Sequence, residues 1–160
     1  MRALLSKETG GPETLVVEEI ADPVAGAGEV VVDVAACAIN FPDTLIIRDL
    51  YQFKPPRPFS PGGEIAGTIA ALGDGVTGWQ VGDRVLAGVG AGGLREKIAV
   101  PADKLFRVPE GVGLTEAASG VAGSMAAAML NGVKRGLFSN EAGMGSAPNI
   151  AAAARPHPHH

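Results

Sequence analysis

The stretch Glu29-Val30-Val31-Val32-Asp33-Val34-Ala35-Ala36-Cys37-Ala38-Ile39 is a run of apolar and β-branched residues that ends just before Asn40 and Pro42. Residues of this kind favour strands over helices. Two sets of side chains alternate along its first part, Val30, Val32 and Val34 against Val31, Asp33 and Ala35. This alternation predicts a strand with one face largely buried.

Similar short runs recur along the first 118 residues, each bounded by glycine, proline or aspartate. The chain has 23 glycines and 12 prolines, which favours turns and short strands over long helices. Short strands at this spacing predict a mainly β domain, a barrel or sandwich, with a short helix at Phe41–Asp49. Beside the first run, the predicted strands are Thr14–Ile20, Glu64–Leu72, Arg84–Ala87 and Arg95–Val100.

Charge and cysteine content exclude several classes of partner and site. The net charge of −4 does not favour nucleic-acid binding, which needs a clustered basic surface. Cys37 is the only cysteine, so no internal disulfide forms, and a reducing, cytoplasmic location is expected. The amino terminus lacks the apolar core of a signal peptide, and no apolar stretch reaches the roughly 20 residues that span a bilayer.

Three segments carry a family resemblance through their order along the chain. They are Ala36–Asp43 with its continuation to Tyr51, then Pro61–Gly67, then Gly73–Val76 followed by Val81–Val85. Together they resemble the amino-terminal, GroES-like domain of the medium-chain dehydrogenase/reductase superfamily, and within it the quinone oxidoreductases. The resemblance covers residues 1 to about 120 and implies a partly open β-barrel with short helices.

Two positions depart from the zinc-dependent alcohol dehydrogenases of the same superfamily. The resemblance places a zinc-binding cysteine of those enzymes at Asn40 and a zinc-binding histidine at Gly63. A catalytic zinc needs three protein ligands, and neither residue supplies one in the usual way. The three histidines all lie at 157–160. We therefore expect no zinc.

The resemblance implies a polar pocket that contains Asn40 and Tyr51 as catalytic residues, with Phe41, Asp43 and Arg48 in the substrate pocket. An asparagine amide can donate a hydrogen bond to a developing oxyanion, and a tyrosine hydroxyl can donate or relay a proton. Simpler interpretations stay open. Asn40 and Asp43 also suit the start of a helix, Tyr51 could be a packing residue, and Arg48 could pair with a nearby carboxylate.

Three further residues have structural interpretations. Cys37 lies in an apolar run with no histidine nearby, so we expect a small buried hydrophobe and not a nucleophile. Glu64 follows Gly62 and Gly63, whose missing side chains suggest a close approach of backbone to a neighbour or ligand. We expect Glu64 to be a hydrogen-bonded carboxylate inside the domain.

The resemblance implies NADPH as the hydride donor of the parent enzyme, bound by a Rossmann domain that follows the GroES-like half. The sequence does not supply such a domain. The glycine-rich stretch 88–93 leads into a predicted strand instead of a helix, and Gly143-Met144-Gly145 lies too near the end of the sequence for a βαβ unit. We therefore expect the chain not to bind NADPH.

Residues 121–160 form a second segment, predicted to be helical or irregular. Its part from about 123 to 156 resembles a segment of the sodium:alanine symporters, which points to a chimeric chain joined near Ser119–Gly123. We expect the apolar helix at Ser124–Leu130 to pack on the face that a Rossmann domain would cover, or the chain to form a homodimer through that face.

The leading hypothesis is a truncated, zinc-independent, NADPH-dependent oxidoreductase of a quinone or a conjugated carbonyl, inactive as an isolated chain. The alternative is a non-catalytic barrel that serves binding or assembly, because a fold does not fix a function. A membrane transporter fragment ranks last, because polar backbone isolated in lipid is not satisfied.

Overall fold

The computed structural model of the protein describes residues 1–119, which form seven strands and two short helices. Two 3-10 turns lie at Pro12–Thr14 and Ala102–Lys104. The strands and helices are β1 (Arg2–Leu5), β2 (Val16–Glu19), β3 (Glu29–Ala38), α1 (Phe41–Ile46), β4 (Glu64–Leu72), β5 (Arg84–Gly88), β6 (Lys97–Pro101), β7 (Phe106–Arg107) and α2 (Leu114–Ala118). The predicted mainly β fold with short helices is thereby confirmed.

Five strands form one antiparallel sheet in the order β6-β3-β4-β5-β7. The longest strand, β3, lies between β4 and β6, and its valines Val30 and Val32 are fully buried. They pack in one cluster with Ile65, Ile69, Val85, Ala87, Ile98, Val100 and Leu105. Aliphatic side chains build this core almost alone, in keeping with an aromatic content of 4%.

The strands β1 and β2 form a separate two-stranded sheet at the amino terminus. It is tied to the rest of the domain through β1 and the residue that follows it. The Leu4 N–H donates to the Leu94 carbonyl, and Ser6 and Phe59 exchange main-chain hydrogen bonds. Both sheets therefore remain open, as expected of a partly open barrel.

Several predicted boundaries differ from the structure. The sequence analysis missed the four-residue β1 and the two-residue β7, because such short segments show no alternation of their own. The predicted strand Thr14–Ile20 is shortened to Val16–Glu19 by the 3-10 turn that precedes it. The predicted strand Arg95–Val100 begins later, at Lys97.

The alternation along β3 is also less strict than predicted, since Val31 is buried as well as Val30 and Val32. The register with β4 shifts between Val31 and Val32 and again between Val34 and Ala36. Such bulges locally disrupt the ladder and re-aim side chains.

The predicted helix Phe41–Asp49 ends earlier, at Ile46. Asp49 has a φ of 57°, which no continuing right-handed helix adopts. The predicted helix Ser124–Leu130 and the rest of the segment 121–160 lie outside the described residues. Within residues 1–119, no helix is long and apolar enough to cross a membrane.

Candidate active site

Three elements meet at one end of the five-stranded sheet. Glu64, the first residue of β4, pairs with Ala38, the last residue of β3, and with Gly88, the last residue of β5. The chain leaves β3 through Ile39 and Asn40 and enters α1 directly. The polar residues that follow β3 are therefore brought beside the start of β4.

Asp43 fixes the start of α1 to the neighbouring loop. Its side chain is buried, with 7% of the residue exposed. One carboxylate oxygen accepts the main-chain N–H of Asn40 at 2.7 Å, and the other accepts that of Gly62 at 3.1 Å. With both oxygens engaged by backbone, Asp43 serves as a brace, which agrees with its interpretation as a helix-start residue.

Asn40 has two structural roles at this end of the sheet. It is the N-cap of α1, as the simpler interpretation anticipated, but the cap is made by its backbone: its N–H donates to Asp43, and its side chain makes no cap hydrogen bond. It also lines a cavity of about 210 Å³. One residue therefore begins the helix and lines the cavity.

Glu64 is a buried carboxyl group that forms no ion pair within residues 1–119. It is 9% exposed, and its Oε2 atom has no hydrogen-bond partner within residues 1–119. Burial raises the pKa of Glu64, the nearby amide of Asn40 lowers it, and the charge of Asp43 raises it again. Removal from water disfavours the ionised form, so the net pKa lies above its ordinary value.

Cys37 lies on β3, next to the Ala38 that pairs with Glu64, and it packs against two glycines. A Cβ atom at Gly62 would lie 2.5 Å from Cys37 Sγ, and one at Gly93 would lie 2.7 Å from it. Only glycine at positions 62 and 93 leaves room for the sulfur of Cys37. The close neighbour of these two glycines is therefore the Cys37 side chain. Burial, and after it the charge of Asp43, raises the pKa of Cys37 to about 12, which keeps the thiol protonated.

The remaining predicted site residues are spread along and beyond α1. Phe41 is 68% exposed beside Asn40, and Ile39 is 67% exposed. Arg48 is exposed and donates from Nη1 to the Thr44 carbonyl at 2.9 Å, so it does not pair with Asp43. Tyr51 is half-buried against the cluster of Ile46, Ile47 and Phe59. The structure thus groups Asn40, Phe41 and Asp43 at one end of the helix and places Arg48 and Tyr51 beyond the other.

The sequence matches the family model described as the alcohol dehydrogenase GroES-like domain over residues 26–110, which is more than half of the chain. The chain belongs to this family. A second model, the sodium:alanine symporter family, matches residues 107–160, a minority of the chain.

The relatives of this GroES-like domain include quinone oxidoreductase-like proteins and synaptic vesicle membrane protein VAT-1 homologs. The rat quinone oxidoreductase-like protein 2 is 39% identical over 117 residues, which are 73% of this chain and 33% of that protein. The Thermus thermophilus quinone oxidoreductase, solved alone and with NADPH, is 37% identical with a TM-score of 0.64, over 74% of this chain and 36% of that one. The Escherichia coli quinone oxidoreductase complexed with NADPH is 31% identical with a TM-score of 0.70, over 74% and 36%. The chain spans about a third of the length of the curated relatives it matches.

The donor set of this GroES-like domain does not fit a catalytic zinc. Gly63 offers no side chain, and a Cβ there would lie 3.1 Å from the Gly90 carbonyl oxygen. Both Asp43 oxygens are engaged by backbone, and the Cys37 sulfur packs against Gly62 and Gly93. In the part of the chain that the structure describes, no cluster of three or more His, Cys, Asp or Glu side chains could hold a metal ion.

The glycine-rich stretch 88–93 does not fit the phosphates of NADPH either. A phosphate loop must present free main-chain N–H groups. Here the N–H of Gly92 donates to Ser60 at 2.6 Å, and the N–H of Gly93 donates to Gly62 at 2.9 Å. The Gly90 N–H donates to Gly63 at 3.3 Å. The stretch 88–93 is therefore a structural loop that is hydrogen-bonded to residues 60–63, which lead into β4.

Sequence reasoning missed the far wall of the cavity, which α2 supplies through Thr115, Ala118 and Ser119. Thr115 and Ser119 are four residues apart and lie on one face of the helix, which is the signal that could have identified them. Their partner across the cavity, Asn40, is 75 or more positions away in the chain, and only the folded sheet brings them together.

Proposed function

We propose that this domain forms the substrate side of an NADPH-dependent, zinc-independent reductase of quinones or conjugated carbonyls. One observation carries the proposal: Asn40 lines a cavity at the sheet end, and its side-chain amide makes no cap hydrogen bond to α1. An amide N–H at such a place can donate to the acceptor's carbonyl oxygen as negative charge develops there. The NADPH complexes of two related quinone oxidoreductases support the cofactor assignment.

The roles of the other residues follow from their places. Ile39 lines the cavity, and the exposed Phe41, next to Asn40 in the sequence, would offer further apolar surface to a flat ring. Arg48 is exposed just after α1. Tyr51 follows α1 in the chain. It would contribute to the reaction only with an acceptor that reaches it from the cavity. NADPH would supply hydride when bound by a dinucleotide-binding domain, which we place outside residues 1–119. We accordingly expect no turnover from this chain by itself.

The domain organisation, location and assembly are part of the same proposal. Residues 1–120 form the GroES-like domain and 121–160 a separate segment. A cytoplasmic location agrees with the single free thiol, Cys37. The exposed Ile39 and Phe41 belong to the face that a second domain, or a second copy of the chain, would cover.

The test measures binding of the acceptor and of the cofactor separately. Tetramethyl-1,4-benzoquinone is titrated into the ¹⁵N-labelled chain, and the shift of the Asn40 side-chain amide signal is followed. Asn40→Ser keeps a helix cap but removes the amide, so binding should weaken by about tenfold at unchanged stability. Gln52→Ser, at an exposed amide beyond α1, is the matched control.

Two outcomes would count against the proposal. If the quinone binds equally well to wild type and Asn40→Ser, the cavity is not the acceptor site, and the alternative of a non-catalytic binding or assembly domain gains. If calorimetry shows NADPH binding in the micromolar range, the cofactor site lies within the chain, and the assignment of a separate dinucleotide-binding domain is wrong.

A further inference from the structure

Arg57 uses all three nitrogens of its guanidinium group, although it lies in the loop between α1 and β4. Its Nη1 atom donates to Asp49 Oδ1 at 2.8 Å, and its Nη2 atom donates to the Ile47 carbonyl at 3.0 Å. Its Nε atom donates to Ser6 Oγ at 3.3 Å, and its Cζ atom lies 5.3 Å from the centre of the Phe59 ring. The side chain is 19% exposed, so its ion pair is screened less than one at the surface.

These contacts close the loop 49–57 at its base. Asp49 and Arg57 are 8 positions apart, and the ion pair joins the two ends of the loop. Asp49 has a φ of 57°, a left-handed conformation that costs free energy in a residue other than glycine. Its second carboxylate oxygen accepts the Thr9 hydroxyl at 2.7 Å. Arg57 and Thr9 therefore hold the turn through which the chain leaves α1.

The closed loop places Phe53 at the end of the sheet where Asn40 lies. A Cβ atom at Gly90 would lie 3.7 Å from Phe53 Cε1, which is van der Waals contact. A Cβ atom at Gly63 would in turn lie 3.1 Å from the Gly90 carbonyl oxygen. Gly63 is followed by the first residue of β4, which pairs with the last residue of β3. Phe53 is 45% exposed, so part of its ring is open to a ligand at this end of the sheet.

We propose that Arg57 is a positioning residue that holds the loop 49–57 closed, so that Phe53 presents an aromatic face to a flat acceptor at the end of the sheet. This inference rests on the proposed function, which places the acceptor beside Asn40. Aromatic rings attract one another in offset or edge-to-face geometry, and a quinone offers a flat ring for such a contact. Without Arg57 the loop loses its fixed base, and the ring is no longer held over Gly90. A loop that is ordered before binding loses less conformational entropy when the acceptor binds.

Tyr51 can report on the position of the loop because it is the only tyrosine of the chain. Its side chain packs against the cluster of Ile46, Ile47 and Phe59, and Arg57 covers the ring of Phe59. The full chain labelled with 3-fluorotyrosine therefore gives one ¹⁹F signal, and that signal depends on the loop.

The experiment compares wild type, Arg57→Gln and Phe53→Leu by their ¹⁹F spectra and by titration with tetramethyl-1,4-benzoquinone. In Arg57→Gln the ¹⁹F signal should move toward its position in the unfolded chain, and the quinone should bind about tenfold more weakly. In Phe53→Leu the ¹⁹F signal should stay in place. The quinone should bind about fivefold more weakly to that variant, because the apolar contact is kept and the ring is lost.

Arg107→Gln is the matched control, because Arg107 also contacts a ring, a carboxylate and a carbonyl. Its Cζ atom lies 4.4 Å from the centre of the Trp79 ring, and its Nη1 atom donates to Asp83 at 3.1 Å. Its Nη2 atom donates to the Gly78 carbonyl. Arg107→Gln should lower the melting temperature and change neither the ¹⁹F signal nor the quinone affinity.

The two proposals fail in different ways. A merely structural Arg57 would lower the melting temperature in Arg57→Gln, as in the control, and leave the ¹⁹F signal and the quinone affinity unchanged. That result would overturn the positioning role. Quinone binding that Asn40→Ser weakens and Phe53→Leu leaves intact would also overturn this inference, and the proposed function would stand. A wild-type chain that binds no quinone would overturn the proposed function and, with it, the contact of Phe53 with an acceptor.

Discussion

At the scale of single residues, one end of the five-stranded sheet holds the amide of Asn40, the carboxyl groups of Asp43 and Glu64, and the thiol of Cys37. Burial separates their behaviour. Asp43 is satisfied by two backbone donors, whereas Glu64 Oε2 has no partner within residues 1–119 and Cys37 has one weak contact, with the Ala38 carbonyl at 3.7 Å. Burial of Glu64 and Cys37 favours their neutral forms, compared with the same groups in water.

The thiol of Cys37 should react slowly. Its pKa of about 12 leaves about one thiolate in 10⁴ at pH 8, against roughly a quarter for an ordinary cysteine. The higher nucleophilicity of a more basic thiolate offsets only part of this difference. Alkylation by iodoacetamide in the folded chain should be at least about tenfold slower than in the same chain in 8 M urea. Equal rates in the two conditions would show that Cys37 is not protected.

The stability of the domain should report the ionisation of Glu64. Its pKa is raised in the folded state, so it contributes stability that is fully present below the unfolded value and is lost as pH rises through the folded pKa. Glu64→Gln stays neutral at every pH. It should therefore melt a few degrees above wild type at pH 7.5, with the difference shrinking toward pH 4. A constant difference across this range, measured by circular dichroism, would rule out the ionisation as its cause.

At the scale of elements, the bulge on β3 depends on a close approach of two backbones. A Cβ at Gly67 would lie 2.0 Å from the Asp33 carbonyl oxygen, and backbone atoms cannot rotate away as a side chain can. Gly67→Ala should cost at least about 3 kcal/mol of unfolding free energy, measured by urea titration.

The matched control for Gly67→Ala is Gly75→Ala. Gly75 has a φ of 78° and open space around its Cβ position, so only the left-handed conformation is strained. That strain should cost about 1 kcal/mol. If both variants lose the same unfolding free energy, the backbones of β3 and β4 can move apart at the bulge at little cost, and the close approach is not what Gly67 is needed for.

The sequence predicted the central elements because their signals are local. The valines of β3 and the glycine-bounded run of β4 show their period and their ends directly, and the capping residues Asn40 and Asp43 mark the start of α1. The short strands β1 and β7 have too few residues for a period, and they form because long-range partners pair with them. Tertiary pairing of this kind leaves no local pattern.

The candidate site was predictable in composition but not in arrangement. The resemblance implied a pocket with Asn40 and Tyr51 as catalytic residues and Asp43 nearby, and that grouping stays a prediction. In the folded chain Tyr51 packs against the cluster of Ile46, Ile47 and Phe59, and Asp43 is held as a brace by two backbone N–H groups. The position of the buried Glu64 at this end of the sheet could not be read from the sequence, because it depends on the pairing of Ala38 with Glu64 across two strands.

At the scale of the whole molecule, the core is unevenly distributed between the two sheets. The fully buried Val30, Val32, Ile65 and Ile69 all belong to β3 and β4. The two-stranded sheet contributes less to the core: β2 has no buried residue, and its Val16 and Val17 are exposed. Regions with few buried apolar contacts open at lower free energy than the core.

Hydrogen exchange should therefore divide the domain into two levels of protection. Amides of β3 and β4 should exchange only through global unfolding, and amides of β2 at least about tenfold faster through local opening. In Gly75→Ala, protection of β3 and β4 should fall by the same free energy that urea titration measures for the whole domain, while that of β2 stays unchanged. If β2 falls in parallel with β3, the two sheets unfold as one cooperative unit. The bonds from β1 to Phe59 and Leu94 would then couple them more strongly than the burial of their side chains indicates.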